Sequence, residues 1–424
     1  MNLELNEFLF YLKFTFLFFF TRYAARESDV SNGNNGVVSK ANCEWKEIGQ
    51  DLFIFPSHNV ESRTKIAGFD VDGTIITTRS GKIFPTDEND WRLNYPVVVE
   101  KLKLLYDNGY KIIFFTNQKG IQTGQQCPEA FKRKIESICC KFPFAIQVFV
   151  SLGSLKYRKP YTGMWEYLEH FENGNVNVDR SLSLFVGDAA GRIVTKVRKK
   201  KDHSAADRLF ALNVGITFKT PEQFFLEQNV EEPYILPVFN PISFLAVSRT
   251  IFEPADTLVP SLNQEIIILV GVPGCGKSHF ARNMSEKFGY AVVNRDSLKT
   301  WQKCVDTTKI LLRTGKSVII DNTNADVESR KRFCDLAMLY KIDCRCFVFN
   351  CDINQARHNC KYRIITGTDK LHEEIGIMVL RIFYSKYKEP VYDEGFSLIV
   401  HVNFVPEFES AEHEKIYRMY LCDS

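Results

Sequence analysis

Short apolar runs alternate with amphipathic segments from about residue 45 to residue 228. Lys65–Asp70 (KIAGFD), Lys111–Thr116 (KIIFFT), Ala145–Val150 (AIQVFV) and Ser183–Asp188 (SLFVGD) read as strands buried on both faces. Between them lie stretches such as Val97–Tyr106 (VVVEKLKLLY), whose apolar residues recur at helical spacing. This rhythm predicts a parallel sheet covered by helices. Ligands of such sheets bind beyond the carboxyl ends of the strands, where Asp70, Thr116 and Asp188 fall. Residues 229–262 carry repeated Pro with little periodicity and read as a linker. A second α/β pattern starts at Glu265–Val270 (EIIILV) and continues through Ser317–Asp321 and Asp343–Asn350, without an internal repeat. The expected fold is α/β: two doubly wound parallel-sheet domains at 45–228 and 263–424, after an extension at 1–44.

The extension is the least regular part. Residues 8–20 (FLFYLKFTFLFFF) are apolar but broken by Lys13, and shorter than the about 20 residues a bilayer span needs. Glu4 and Glu7 precede the run, and Tyr23-Ala24-Ala25 is a poor cleavage site, so neither a secretory nor a transit signal fits well. A targeting role, a peripheral contact and a start-site artefact stay open. Residues 31–36 (SNGNNG) then mark a flexible joint.

With 54 Lys plus Arg against 51 Asp plus Glu, bulk charge gives no reason to bind nucleic acid, and any such binding must come from local patches. The 12 cysteines lack the regular spacing of a disulfide-stapled secreted domain, which points to a reduced setting. Cys344, Cys346, Cys351, His358 and Cys360 form the one suggestive metal group. The C-x-C opening, with both cysteines on one face of a strand, favours small core residues over zinc.

Chemistry concentrates in two places. Asp70 and Asp72, with Gly73 and Thr74, follow the first strand. Carboxylates held this close repel unless a cation offsets them. A hard ion such as Mg²⁺ suits them, with Asp70, Asp72 and Asp188 as candidate ligands. Asp70 can then attack phosphorus, while Asp72 protonates the leaving alcohol and later deprotonates water. Thr116 and Asn117 can bind the phosphoryl oxygens and Lys159 can offset their charge. The plainer reading is that Asp70 ends a strand and Thr74 caps a helix.

The second place is Gly271-Val272-Pro273-Gly274-Cys275-Gly276-Lys277-Ser278, which fits G-x-x-x-x-G-K-[ST] between a strand and the helix expected over 279–287. Its glycines let backbone N–H groups wrap phosphates, Lys277 reaches the outer phosphates, and Ser278 meets Mg²⁺. Asp296 is the candidate base for an acceptor hydroxyl, or an N-cap of the helix that follows. Arg357 and Arg363 are placed to meet the transferred phosphate, or else form a solvated helix face. Asp321 orients Mg²⁺-bound water or the acceptor, or sits in a turn. Trp301 offers a stacking face or fills the core, and Lys196–Lys201 and Phe131–Lys134 are basic segments able to hold a strand backbone.

Asp70–Ile76 (DVDGTII), Phe114–Ile121 (FFTNQKGI), Tyr157–Trp165 (YRKPYTGMW) and Phe185–Arg192 (FVGDAAGR) resemble the haloacid-dehalogenase phosphatases. The last two, with residues 199–215, look like the DNA 3′-phosphatase branch. Val292–Val305, Asp321–Asn324 and Gln355–Asn359 resemble the kinase half of the bifunctional polynucleotide kinase 3′-phosphatases. The resemblance spans about residues 50–400. It implies Asp70 as nucleophile, Asp72 as acid/base, Asp188 as metal ligand, Asp296 as kinase base and residues 271–278 as the ATP site. It also implies Mg²⁺, DNA with 3′-phosphate and 5′-hydroxyl ends, a monomer without a membrane span, contacts to repair scaffold and ligase proteins, and a nuclear or mitochondrial setting. Two departures stand out. About forty leading residues cannot hold the forkhead-associated domain that begins the animal enzyme, and residues 366–372 (TGTDKLH) need not match the family lid. The rival readings are a small-molecule phosphatase fused to a metabolite kinase, and a nucleic-acid scaffold with dead sites.

Overall fold

In a computed structural model, residues 44–57, 59–153, 155–367 and 375–423 are described. The apolar run at 8–20, the joint at 31–36 and residues 368–372 of the expected lid lie outside them.

Strand patterns buried on both faces become the centres of two sheets. The first holds β1 (Lys46–Ile48), β2 (Leu52–Pro56), β3 (Lys65–Phe69), β4 (Tyr110–Asn117), β5 (Ile146–Ser151), β6 (Leu184–Val186) and β7 (Thr217–Lys219). Their order is β1-β2-β5-β4-β3-β6-β7. In β4, Ile112 and Phe114 enter one core, and Ile113 and Phe115 enter the core on the opposite face. Both halves of its period-2 alternation are therefore apolar, as a covered parallel sheet requires. Helices α1 (Val98–Asp107), α2 (Pro128–Cys139) and α3 (Ala206–Val214) contribute the facing residues, for example Val98 and Leu102 one turn apart.

The sheet is not wholly parallel. β1 and β2 form an antiparallel hairpin, and β2 pairs antiparallel with β5 at the edge. The five strands β5, β4, β3, β6 and β7 are parallel, and the ends of β3, β4 and β6 lie side by side.

The second sheet contains β8 (Phe252–Glu253), β9 (Glu265–Val270), β10 (Ala291–Val293), β11 (Val318–Ile320), β12 (Asp343–Asn350) and β13 (Leu398–Asn403), in the order β8-β13-β12-β9-β11-β10. β9 again splits, with Ile266 and Ile268 in one core and Ile267 and Leu269 in the other. Residues 229–262 are more than a linker: Asn240 caps a short helix at Pro241–Leu245, and β8 pairs antiparallel with β13. Prolines hid these elements because they occupy a first helical turn and flank an edge strand, positions that need no amide donor.

Cys344 and Cys346 face the core between β12 and α6 (Val327–Tyr340). His358, on α7 (Ile353–Thr366), is held between the rings of Phe239, tilted against it, and Tyr417, edge-on to it, and meets the Tyr417 carbonyl at 3.0 Å. The zinc group suggested by these residues does not assemble. Among the described residues there is no disulfide and no helix long and apolar enough to cross a membrane.

Candidate active sites

At the carboxyl ends of β3, β4 and β6 the chain gathers charge. Asp70 follows β3, its N–H bonded to the Val186 carbonyl. Lys159 Nζ, almost fully buried, donates to Asp70 Oδ1 at 2.7 Å, Asp207 Oδ1 at 2.6 Å and the Phe115 carbonyl at 2.8 Å. Asp70, Asp188 and Asp207 offer carboxylate oxygens within 4.8 Å of one another. One lysine faces three carboxylates. Burial, only partly offset by Lys159, pushes Asp70 up to about 7, and burial beside Asp70 and Asp207 drives Asp188 well above the carboxylate range.

Two glycines make the approach possible. Gly73 has φ +86°, and a Cβ there would stand 2.5 Å from Asp188 Oδ2. A Cβ on Gly187 would stand 2.3 Å from Asp207 Oδ2. Thr74 caps no helix, because a turn follows β3. Its hydroxyl accepts the Asp188 N–H at 3.1 Å and fixes that residue.

The donor set fits a hard divalent cation. Asp207 is occupied on both oxygens, by Lys159 and by the Ala189 N–H at 3.0 Å, so Asp70 and Asp188 are the carboxylates open to a metal. Asp72 is not among them. Its half-exposed carboxylate accepts from Lys134 Nζ at 2.9 Å and Gln118 Nε2 at 2.8 Å, which corrects the expectation of a third ligand while leaving it at the mouth of the site. Asn117 is also reassigned. Its amide grips the Lys159 backbone, accepting from N–H at 3.0 Å and donating to the carbonyl at 3.1 Å, so it positions lysine instead of phosphate. Thr116 keeps a buried hydroxyl at the site, accepting from Gln118 at 2.9 Å.

The sequence marks no role for Asp207 or Gln118, and Lys134 reads there as one of a basic run able to hold a strand, whereas the fold pairs it with Asp72. Lys132 and Arg133 are also spent on ion pairs, with Glu47 and Glu88, so 131–134 is no free basic patch. In 196–201, Arg198 pairs with Glu222 and Glu232, whereas Lys196, Lys199, Lys200 and Lys201 are exposed.

In the second sheet, residues 271–278 pass from β9 into α4 (Lys277–Phe288). Gly274 and Gly276 hold φ of +87° and +101°. Lys277 Nζ donates to the Gly271 and Val272 carbonyls, each at 2.9 Å. A cavity of ≈ 1800 Å³ is lined by this loop together with Asp296, Trp301, Asp321, Arg332 and Arg363. Asn294, not Asp296, caps the short helix at Arg295–Leu298, and Thr300 caps α5 (Trp301–Arg313). Capping therefore does not occupy Asp296, and its side chain is exposed at the cavity. Asp321 is buried, its carboxylate accepting from Asn294 at 3.1 Å. Trp301 is half-exposed with the Arg332 guanidinium 4.4 Å from its ring, a surface plate and not a core residue.

Arg357 departs from expectation. It lines a separate small cavity and donates to the Asp423 carbonyl at 3.3 Å, while Arg363, nearly two turns further along α7, faces the phosphate loop. The 3.6-residue period does not bring residues six apart to one face. Asn359 supplies a contact the sequence did not reveal, donating to the Gly274 carbonyl at 3.0 Å.

A bifunctional polynucleotide phosphatase/kinase of Schizosaccharomyces pombe is 36% identical over 383 residues, covering 90% of each chain. The chain belongs to the family of bifunctional polynucleotide phosphatase/kinases. A putative bifunctional member from Acanthamoeba polyphaga mimivirus is 32% identical, covering 84% of this chain and 89% of its own. The polynucleotide 3′-phosphatase ZDP of Arabidopsis thaliana is 35% identical over 197 residues, 43% of this chain and 27% of that protein. The family described as polynucleotide kinase 3 phosphatase matches residues 65–225, and an AAA domain matches 266–374. In this bifunctional chain, each match contains one of the two sites: the acidic cluster in the first and the phosphate loop in the second.

Proposed function

We propose that this chain prepares strand breaks for ligation, hydrolysing 3′-phosphate ends of DNA and phosphorylating 5′-hydroxyl ends with ATP. The trio of Asp70, Asp188 and Asp207 around one buried lysine, on a chain that also carries a complete phosphate loop facing Asp296, carries this reading.

In the first site Lys159 holds Asp70 Oδ1, which leaves the second oxygen to attack phosphorus and form an aspartyl-phosphate. Lys134 and Gln118 aim Asp72 at the leaving oxygen, to which it delivers a proton before taking one from the water that hydrolyses the intermediate. Asp70 and Asp188 would hold Mg²⁺, which would supply charge neutralisation at the phosphoryl oxygens. Thr116 donates its hydroxyl to the same oxygens.

In the second site the loop amides and Lys277 take the ATP phosphates, and Ser278 and Asp321 lie where a metal ion would be held. Asp296 accepts the proton of the 5′-hydroxyl, while Arg363 meets the transferred phosphoryl group. The exposed lysines of 196–201 and the Trp301 plate give a strand its backbone and base contacts. We place this work in the nucleus, with the mitochondrion as alternative if residues 1–44 direct import; imaging of the tagged full chain separates the two.

Phosphate release from a 3′-phosphorylated oligonucleotide, measured against histidinol phosphate and nucleotides, tests substrate class. A preference of at least about 100-fold in kcat/KM for the oligonucleotide is expected. Equal or better turnover of the small molecules would replace this reading with the metabolic one.

A further inference from the structure

The last residues of the kinase half lie against the back of the phosphatase site. Helix α8 (Ala411–Tyr417) is fastened to the kinase half, where the Tyr417 hydroxyl donates to Asn359 Oδ1 at 2.9 Å. The chain then crosses to the phosphatase. Met419 Sδ accepts from the Thr162 hydroxyl at 3.6 Å, and the Tyr420 N–H donates to Asn213 Oδ1 at 2.8 Å. Asn213 Nδ2 returns a bond to the Tyr420 carbonyl at 3.0 Å and another to the Pro160 carbonyl at 2.8 Å. Asp423 accepts from the Ala205 N–H at 2.8 Å and from the Ser204 hydroxyl.

These contacts converge on two turns. One contains Pro160 and Thr162, directly after Lys159; the other contains Ser204 and Ala205, directly before the helix that carries Asp207. Lys159 and Asp207 are bonded to each other, and Lys159 to Asp70. The tail thus reaches both halves of the ion pair that orients the nucleophile: Asp423 holds the Ala205 N–H next to the Asp207 helix directly, and Tyr420 reaches the Pro160 turn beside Lys159 through the Asn213 amide.

We propose that residues 419–423 form a positioning clamp for the phosphatase, with Asp423 as its key residue, so that the end of the kinase half sets the placement of Lys159 and Asp207. Asp423 touches no substrate and acts through the Ser204–Asp207 turn. On the kinase side Asp423 is held through its backbone, its carbonyl accepting from Arg357 at 3.3 Å, a contact that a change of the 423 side chain leaves in place, so the kinase rate is expected to hold. The inference rests on the phosphatase reading.

Full-length Asp423→Ala, Asp423→Asn and Asn213→Ala chains, assayed with the parent for both activities, test it. For Asp423→Ala and Asn213→Ala, the phosphatase kcat is expected to fall about tenfold or more with KM within about twofold, as for displaced catalytic groups. The kinase rate should stay at the parental value. Asp423→Asn keeps an oxygen for the Ala205 N–H and should recover most of the phosphatase rate. A phosphatase kcat within twofold of the parent in Asp423→Ala overturns the clamp, as does a parallel loss of both activities, the sign of mere destabilisation. A parent unable to release phosphate from a 3′ end would instead overturn the functional reading beneath it.

Discussion

In the proposed mechanism Asp70 and Lys277 divide the chemistry between them, the first as the nucleophile that forms the acyl-phosphate and the second as the cation that meets the ATP phosphates. Asp70→Asn should lower phosphatase kcat by about 10⁴-fold and leave the kinase unchanged, and Lys277→Ala should do the reverse. Parallel rate measurements on one substrate check this, and loss of both activities from either change would sink the two-site account. Asp188 carries a second expectation. Burial beside Asp70 and Asp207 pushes its carboxyl well above the usual carboxylate range, so keeping it ionised at neutral pH works against folding, and a bound cation would offset that cost. Asp188→Asn should therefore raise the thermal midpoint of metal-free protein while abolishing the upward shift that Mg²⁺ gives the parent. A variant that is less stable without metal, or still shifted by it, contradicts the assignment. Asp70, Asp188 and Lys159 could be picked from the sequence because they sit beside strand ends or in recognisable motifs. Asp207 and Lys134 could not, since Asp207 lies within a helix and Lys134 among basic residues, and only the fold brings them to Lys159 and Asp72.

At the scale of elements, the strands that place these residues were legible wherever they are buried on both faces. β9 and β12 begin and end where their apolar runs do. The β1–β2 hairpin is hard to read because strands of three and five residues, the outermost two at one edge of the sheet, are too short to show a period. The turn after β3 makes a further demand. Gly73 takes a positive φ, and any side chain there would collide with Asp188. Gly73→Ala should cost about 1–3 kcal/mol of stability and at least about tenfold in phosphatase kcat, with the kinase unaffected. Denaturant unfolding alongside both assays would show it, and a stable, fully active variant would remove the close approach from the account.

Over the whole molecule, the chain joins two chemistries that leave a break ready for sealing, and α7 is central to its packing. His358 lies at the heart of that helix, and burial holds its imidazole down to about 3 from an ordinary 6.5. The unfolded chain takes up this proton first, so stability present above pH 6.5 is lost as pH falls toward 3. The acidic cluster has the opposite sign in metal-free protein, since carboxylates raised by folding favour the native state as pH falls. The comparison must therefore be made between variant and parent at each pH. His358→Gln should start with a lower thermal midpoint at pH 7.5 and lose less than the parent on moving to pH 5. An equal loss would show that His358 does not govern the acid limb.

The most direct test of the central claim uses one nicked duplex bearing a 3′-phosphate and a 5′-hydroxyl, each end labelled separately, with Mg²⁺ and with or without ATP. The 3′-phosphate should be lost in both reactions, and a 5′-phosphate gained only with ATP. Tight binding of the nick with neither end altered, or 3′-phosphate loss that requires ATP, would contradict that claim.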